Sequence, residues 1–158
     1  MGLAEKRLRS AGYVLPSPPA PAGVYKPALC HNGMVYTSGQ LPLRDGGLME
    51  PEGKGKVNEL RLRDARSAVV QATLNALSAA ASILSEGLDG VDRVVKLTVY
   101  VASEAYFSNQ HLVANAASEL LHAAFGENGV HVRSAVGVAE LPMDSSVEVE
   151  ILLAVKAQ

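Results

Sequence analysis

With 158 residues, 48% of them hydrophobic but only 4% aromatic and no Trp, the chain can bury a single core built from Ala, Val and Leu. Fourteen Lys and Arg against sixteen Asp and Glu leave a net charge of −2, which removes the electrostatic case for a nucleic-acid or anionic-membrane partner. Cys30 is the only cysteine, so no internal disulfide can form and a reducing compartment is the default.

In chain order, Leu3 to Ala11 reads as a short surface helix closed by Gly12. Its flank, MGLAEKRLRS, lacks the apolar run of a signal peptide, and no stretch reaches the ~18 apolar residues of a membrane span. A soluble, cytoplasmic protein is therefore expected. Next comes LPSPPAPAG, Leu15 to Gly23, whose closely spaced prolines exclude it from a central strand and favour an extended outer strap. The expected division is an N-terminal helix and strap over residues 1–23 and a single domain over 24–158.

Tyr25 to His31 and Met34 to Gln40 read as a hairpin about Asn32-Gly33, a strong short-range turn signal. Pro27 places the first strand at an edge or at its own beginning. Arg44 to Lys56, RDGGLMEPEGKGK, reads as solvated loop. Its GKGK lacks the spacing and the following Ser/Thr of a phosphate-binding loop. From Asn58, a suitable N-cap, to about Glu86 the pattern is helical, with Leu62, Ala65, Val69, Ala72, Ala76, Ala79, Ala80 and Ile83 on the buried stripe. Val91 to Val101 is a strand. A second helix follows Ser103 and runs to about Phe125, burying Phe107, Val113, Ala117, Leu120, Leu121 and Ala124. His111 and His122 share a side of this helix with no acidic or Cys partner at ligand spacing, so no metal is expected.

The chain closes with two strands, about Val132 to Glu140 and Val147 to Lys156, separated by LPMDSS. In the second, Val147, Val149, Ile151, Leu153 and Val155 alternate with Glu148 and Glu150. In the first, Arg133 shares a face with Ala135, Gly137 and Ala139, residues too small to cover its guanidinium. That spacing leaves two readings: ordinary solvent decoration of a one-sided sheet, or a fork open to a ligand carboxylate. The element order β-β-α-β-α-β-β predicts an α+β, two-layer fold, a sheet with two helices on one face.

Two of these segments resemble the YjgF/Rid family, the reactive-intermediate (enamine/imine) deaminases. One is Arg133-Ser134-Ala135-Val136, then Leu141-Pro142, then Val147-Glu148-Val149-Glu150. The other is Tyr25, then Asn32-Gly33, then Thr37-Ser38-Gly39-Gln40-Leu41-Pro42. The resemblance covers about Pro21 to Lys156. It implies a chorismate-mutase-like fold with a mixed sheet, a homotrimer with clefts at the subunit boundaries, and a small carboxylate (2-imino or 2-oxo acid) as ligand, with no cofactor.

By the same resemblance, Arg133 anchors the carboxylate, Glu148 positions water, and Tyr25 closes the cleft from the neighbouring subunit. Ser38, Gly39, Asn115 and Ala135 line it. The implied reaction is hydrolysis of a 2-imino or 2-enamino acid to a 2-oxo acid and ammonia. A non-catalytic binder of small carboxylates and an endoribonuclease are the alternatives. The chain departs from the familiar pattern at Ala135, where many members carry Cys, at Lys26-Pro27, where a glutamine is common, and at Gly137 and Glu140. Those differences place it on a divergent branch.

Overall fold

The Asn32-Gly33 turn sets the first strand pair. The computed structural model describes residues 1–20 and 23–156. In it Asn32 and Gly33 lie at φ 50° and 73°, both left-handed, as the tight hairpin turn that matches strand twist requires. They join β1 (Ala28–His31) to β2 (Met34–Thr37), with His31 opposite Met34. The ladder begins at Ala28, just after Pro27, rather than at Tyr25, because proline cannot donate to it. A second hairpin, absent from the sequence reading, lies inside the stretch expected to be loop. Asp45 and Gly46, at φ 53° and 87°, join β3 (Leu43–Arg44) to β4 (Gly47–Leu48).

Asn58 caps as expected, its Oδ1 accepting from the amides of Leu60 and Arg61. One 3-10 turn leads into α2 (Leu62–Ala81). The helix stops short of Glu86, so Ile83 leaves the periodic face and is exposed, not buried. β5 (Val91–Ala102) follows, then α3, which starts at Gln110 and ends at Phe125. Phe107 is buried, but from the loop before that helix. β6 (Val132–Val138) and β7 (Val147–Val155) complete the chain, each slightly shorter than its sequence pattern.

The strands form one sheet in the order β1-β2-β7-β5-β6. β5 and β6 are parallel and the other pairs antiparallel, so the sheet is mixed. A parallel pair needs a long crossover, and α3 is that crossover. Both α2 and α3 lie on one face, which gives the α+β two-layer arrangement expected. Val147, Val149, Ile151 and Leu153 of β7 meet Leu97, Val99 and Val101 of β5 beneath these helices, all essentially buried. The alanines of α2 allow the close approach: Ala65, Ala68, Ala72, Ala76, Ala79 and Ala80 are fully buried.

The N-terminal helix α1 (Leu3–Ser10) joins the same core through Ala4 and Leu8. The Asp89 carboxylate accepts from the amides of Leu3 and Ala4, tying its first turn down, and those bonds hold the Asp89 pKa below its ordinary value. The strap begins extended, and the Ser78 hydroxyl donates to the Pro16 carbonyl at 2.6 Å. Pro21 and Ala22 of the strap lie outside the described residues. No helix among the described residues is long and apolar enough to cross a membrane.

Candidate functional site

The parallel register of β6 on β5 places Arg133 opposite Leu97, Ala135 opposite Val99 and Gly137 opposite Val101. Those β5 side chains face the helices, and so does Arg133. This corrects the expectation that the face Arg133 shares with small residues leaves its guanidinium uncovered. The small residues make room for α3 instead. Ala135 packs against the core, and a Cβ at Gly137 would stand 2.7 Å from Gln110 Nε2. The uncovered side of β6 carries the other set, with Val132 and Val136 exposed.

Arg133 is half-buried at this sheet edge and held entirely by neutral groups. Its Nη1 donates to Asn115 Oδ1 at 3.0 Å and to Ser118 Oγ at 3.1 Å. Nη2 makes a long contact to the His111 carbonyl. No carboxylate pairs with it among the described residues. Both Nη1 protons are used, which leaves the Nε/Nη2 edge as the free fork. Asn115 is thus part of the arginine's setting rather than an isolated polar residue on the helix surface.

Glu148 lies elsewhere. It sits opposite Tyr100 on the sheet face away from the helices, so within one chain it cannot share a pocket with Arg133. Its side chain lies against Gly39. Gln40 pairs through its backbone with Val149, its amide and carbonyl both bonded at 2.7 and 2.9 Å, and this draws the 38–40 segment against β7. A Cβ at position 39 would meet the Glu148 carboxylate, so the glycine leaves that side chain room to lie where it does. Ser38 is fixed in turn, its amide donating to the Pro27 carbonyl and its hydroxyl to that of Lys26. Tyr25 stands just before this anchor, exposed, its ring over Gly23.

The two glutamates of β7 differ. Tyr100 donates its hydroxyl to Glu150 Oε1 at 3.0 Å, whereas Glu148 has no hydrogen-bond partner among the described residues. Burial, and then the charge of Glu150, push the Glu148 pKa above the ordinary 4.5. The Tyr100 hydroxyl is raised by burial and by the same glutamate.

Two residues went unnoticed in the sequence. Ser118 lies three positions after Asn115, one helical step along the same face, and His131 lies two before Arg133 on the same side of the strand. Either spacing could have found them. The described residues contain no cluster of three His, Cys, Asp or Glu that could hold a metal ion. A concavity of about 840 Å³, lined by Cys30, Ile83, Glu86 and Lys156 among others, contains none of the candidate residues.

A mixed sheet under two helices, with a carboxylate-free arginine on its edge strand and a half-buried glutamate on its far face, defines a small α+β protein. The chain belongs to the family described as Endoribonuclease L-PSP, the YjgF/Rid family, whose model matches residues 16–155. It is 39% identical over 155 residues to Protein TCP17 of Trypanosoma cruzi, covering 96% of this chain and 94% of that one. Among solved structures it resembles the Agrobacterium tumefaciens protein Atu1372, of unknown function, at 34% identity and TM-score 0.87, covering 98% and 93% of the two chains. It also resembles the YjgF gene product of E. coli at 26% identity and TM-score 0.61, covering 89% and 94%. The chorismate-mutase-like, YjgF-type fold expected from the motifs is the fold of these proteins.

Proposed function

We propose that the protein hydrolyses 2-imino or 2-enamino acids to 2-oxo acids and ammonia in clefts shared between subunits of a homotrimer. The observation that carries this reading is Arg133, a half-buried guanidinium oriented by three neutral acceptors and paired with no carboxylate. Such a group is set to receive an anion, and a planar carboxylate fits its fork.

Arg133 and Glu148 lie on opposite faces of one sheet, so a site using both needs two chains. One subunit would supply Arg133 and Asn115. The next would supply Glu148 with Ser38, Gly39 and the Tyr25 loop, a grouping in which Glu148 travels with the loop rather than with the arginine. Ala135, partly buried against the core two residues after Arg133, would line the same side of the cleft. The uncovered face bearing Leu29, Tyr36, Val132 and Val136, all exposed, supplies apolar surface for the neighbours. Sedimentation at micromolar concentration is expected to give a trimer. A monomer would remove the shared cleft.

In the cleft, Arg133 fixes the carboxylate and so places the adjacent C=N carbon near Glu148. With the substrate as its iminium, ionised Glu148 accepts a proton from water as the water oxygen bonds to that carbon and the C=N π pair moves to nitrogen, giving a neutral carbinolamine. Glu148 returns that proton to nitrogen, and the C–N bond breaks as the hydroxyl oxygen closes the carbonyl. The hydroxyl proton passes through Glu148 to the departing ammonia, which leaves as ammonium. Burial raises the pKa of this carboxylate, which makes it the stronger base for the first of these transfers.

The test generates imino acids in situ with an amino-acid oxidase and follows their loss with and without the protein. Acceleration over the spontaneous rate is expected. A protein that binds 2-oxo acids yet never exceeds that rate, across small, branched and aromatic imino acids, is a binder and not an enzyme. RNA cleavage that survives loss of Arg133 would move the activity to another site altogether.

A further inference from the structure

Behind Arg133 stands a chain of hydrogen bonds whose direction is set at its far end. His131 Nδ1 lies 2.6 Å from the Gly129 carbonyl oxygen. A carbonyl can only accept, so Nδ1 carries the proton, and in the neutral ring Nε2 is left as an acceptor. Ser118 Oγ lies 3.0 Å from that Nε2 and must point its single proton there. Its lone pairs then turn towards Arg133 Nη1, 3.1 Å away. Each donor along the line from Arg133 through Ser118 and His131 to Gly129 has one acceptor. The ring is half-buried, and burial together with the Arg133 charge outweighs the Gly129 bond and lowers its pKa, which favours the neutral ring.

Without the imidazole acceptor, the Ser118 hydroxyl is free to rotate its proton towards the guanidinium. A hydroxyl facing a cation with its proton cannot accept from it. Asn115 alone would then orient Nη1, and the Nε/Nη2 edge would lose its fixed direction. We propose that His131 is a positioning residue, which acts through Ser118 to hold Arg133 with its free edge aimed at the ligand carboxylate. This rests on the reading of Arg133 as the carboxylate anchor. Because the carboxylate is held alike in substrate and transition state, loss of the relay should raise KM and leave kcat nearly unchanged.

The experiment measures pyruvate affinity by calorimetry for the full-length protein and its variants, with thermal unfolding to establish that each is folded. Loss of a net hydrogen bond worth 0.5–1.5 kcal/mol predicts that His131→Ala weakens pyruvate about threefold to tenfold. Ser118→Ala should do the same, and the double variant should be no worse than either single one, since both break one chain. His131→Gln, which presents an amide oxygen to Ser118, should recover most of the affinity. Nitrogen-15 spectra of the wild type should show His131 protonated on Nδ1 and bare on Nε2. The proposal is overturned if the ring proton sits on Nε2, or if the two single losses multiply in the double variant. It is overturned too if His131→Ala binds as wild type while Arg133→Ala does not, an outcome that leaves the carboxylate anchor standing. If Arg133→Ala itself binds pyruvate normally, the anchor reading fails and this inference with it.

Discussion

Arg133→Ala is expected to weaken 2-oxo-acid binding by about one to two orders of magnitude, because a charge-assisted hydrogen bond contributes roughly 1.5–3 kcal/mol. The same variant should lose imine hydrolysis, since substrate and product are held by the one carboxylate. Arg133→Lys should restore little. An ammonium cannot donate to Asn115 and Ser118 while presenting a planar edge to the ligand, and those three demands are what the guanidinium meets here. Folding should suffer little from either change, because the arginine sits half-buried at a sheet edge and pairs with no carboxylate. Calorimetric titration with pyruvate checks this directly. Undiminished affinity in the alanine variant would show that the anion binds elsewhere.

Glu148→Gln is expected to divide binding from turnover. The amide keeps the shape beside Gly39 but cannot accept a proton from water, so kcat should fall by about 10²- to 10⁴-fold, the usual contribution of general acid–base catalysis. Pyruvate affinity should stay within a few-fold of wild type. A pure binder would show neither effect. The variant also carries a stability signature. The folded-state pKa of Glu148 is raised, so the folded protein holds this proton more tightly than the unfolded chain. Ionisation therefore opposes folding, a penalty absent below the unfolded value near 4.5 and complete once pH exceeds the folded one. Glu148→Gln should accordingly be the more stable protein at neutral pH and should lose that advantage in acid. Denaturant titrations at pH 7 and pH 4 measure it, and an equal difference at both would deny that the carboxylate is desolvated.

The comparison of these two residues also separates what was legible in the chain from what was not. Strand and helix identity came from local chemistry. The alternation Val147-Glu148-Val149-Glu150 and the alanine stripe from Ala65 to Ala80 state which side each residue must bury, since a pleat has period 2 and a helix period 3.6. Asn32-Gly33 and Asn58 marked a turn and a cap because their side chains or backbones suit those conformations, whatever lies farther away. The same local logic, applied to Asp45-Gly46, would have found the small second hairpin. Ile83 was misplaced because periodicity does not say where a helix stops.

Which face of which strand meets the helices is a different kind of fact. Period 2 shows that Arg133, Ala135 and Gly137 share a side, but not which side, and a strand with small residues on one face and Val132, Ser134 and Val136 on the other offers no strong bias. The choice was made by the crossover through α3, which sets β6 parallel to β5 and puts Arg133 across from Leu97. Pairing to β5 from the other side places Glu148 across from Tyr100 and out of the core. From the motifs alone the two residues look like partners in one pocket. The sheet puts them on opposite faces, because strand pairing is decided by contacts between residues far apart in sequence, and no local pattern carries that information.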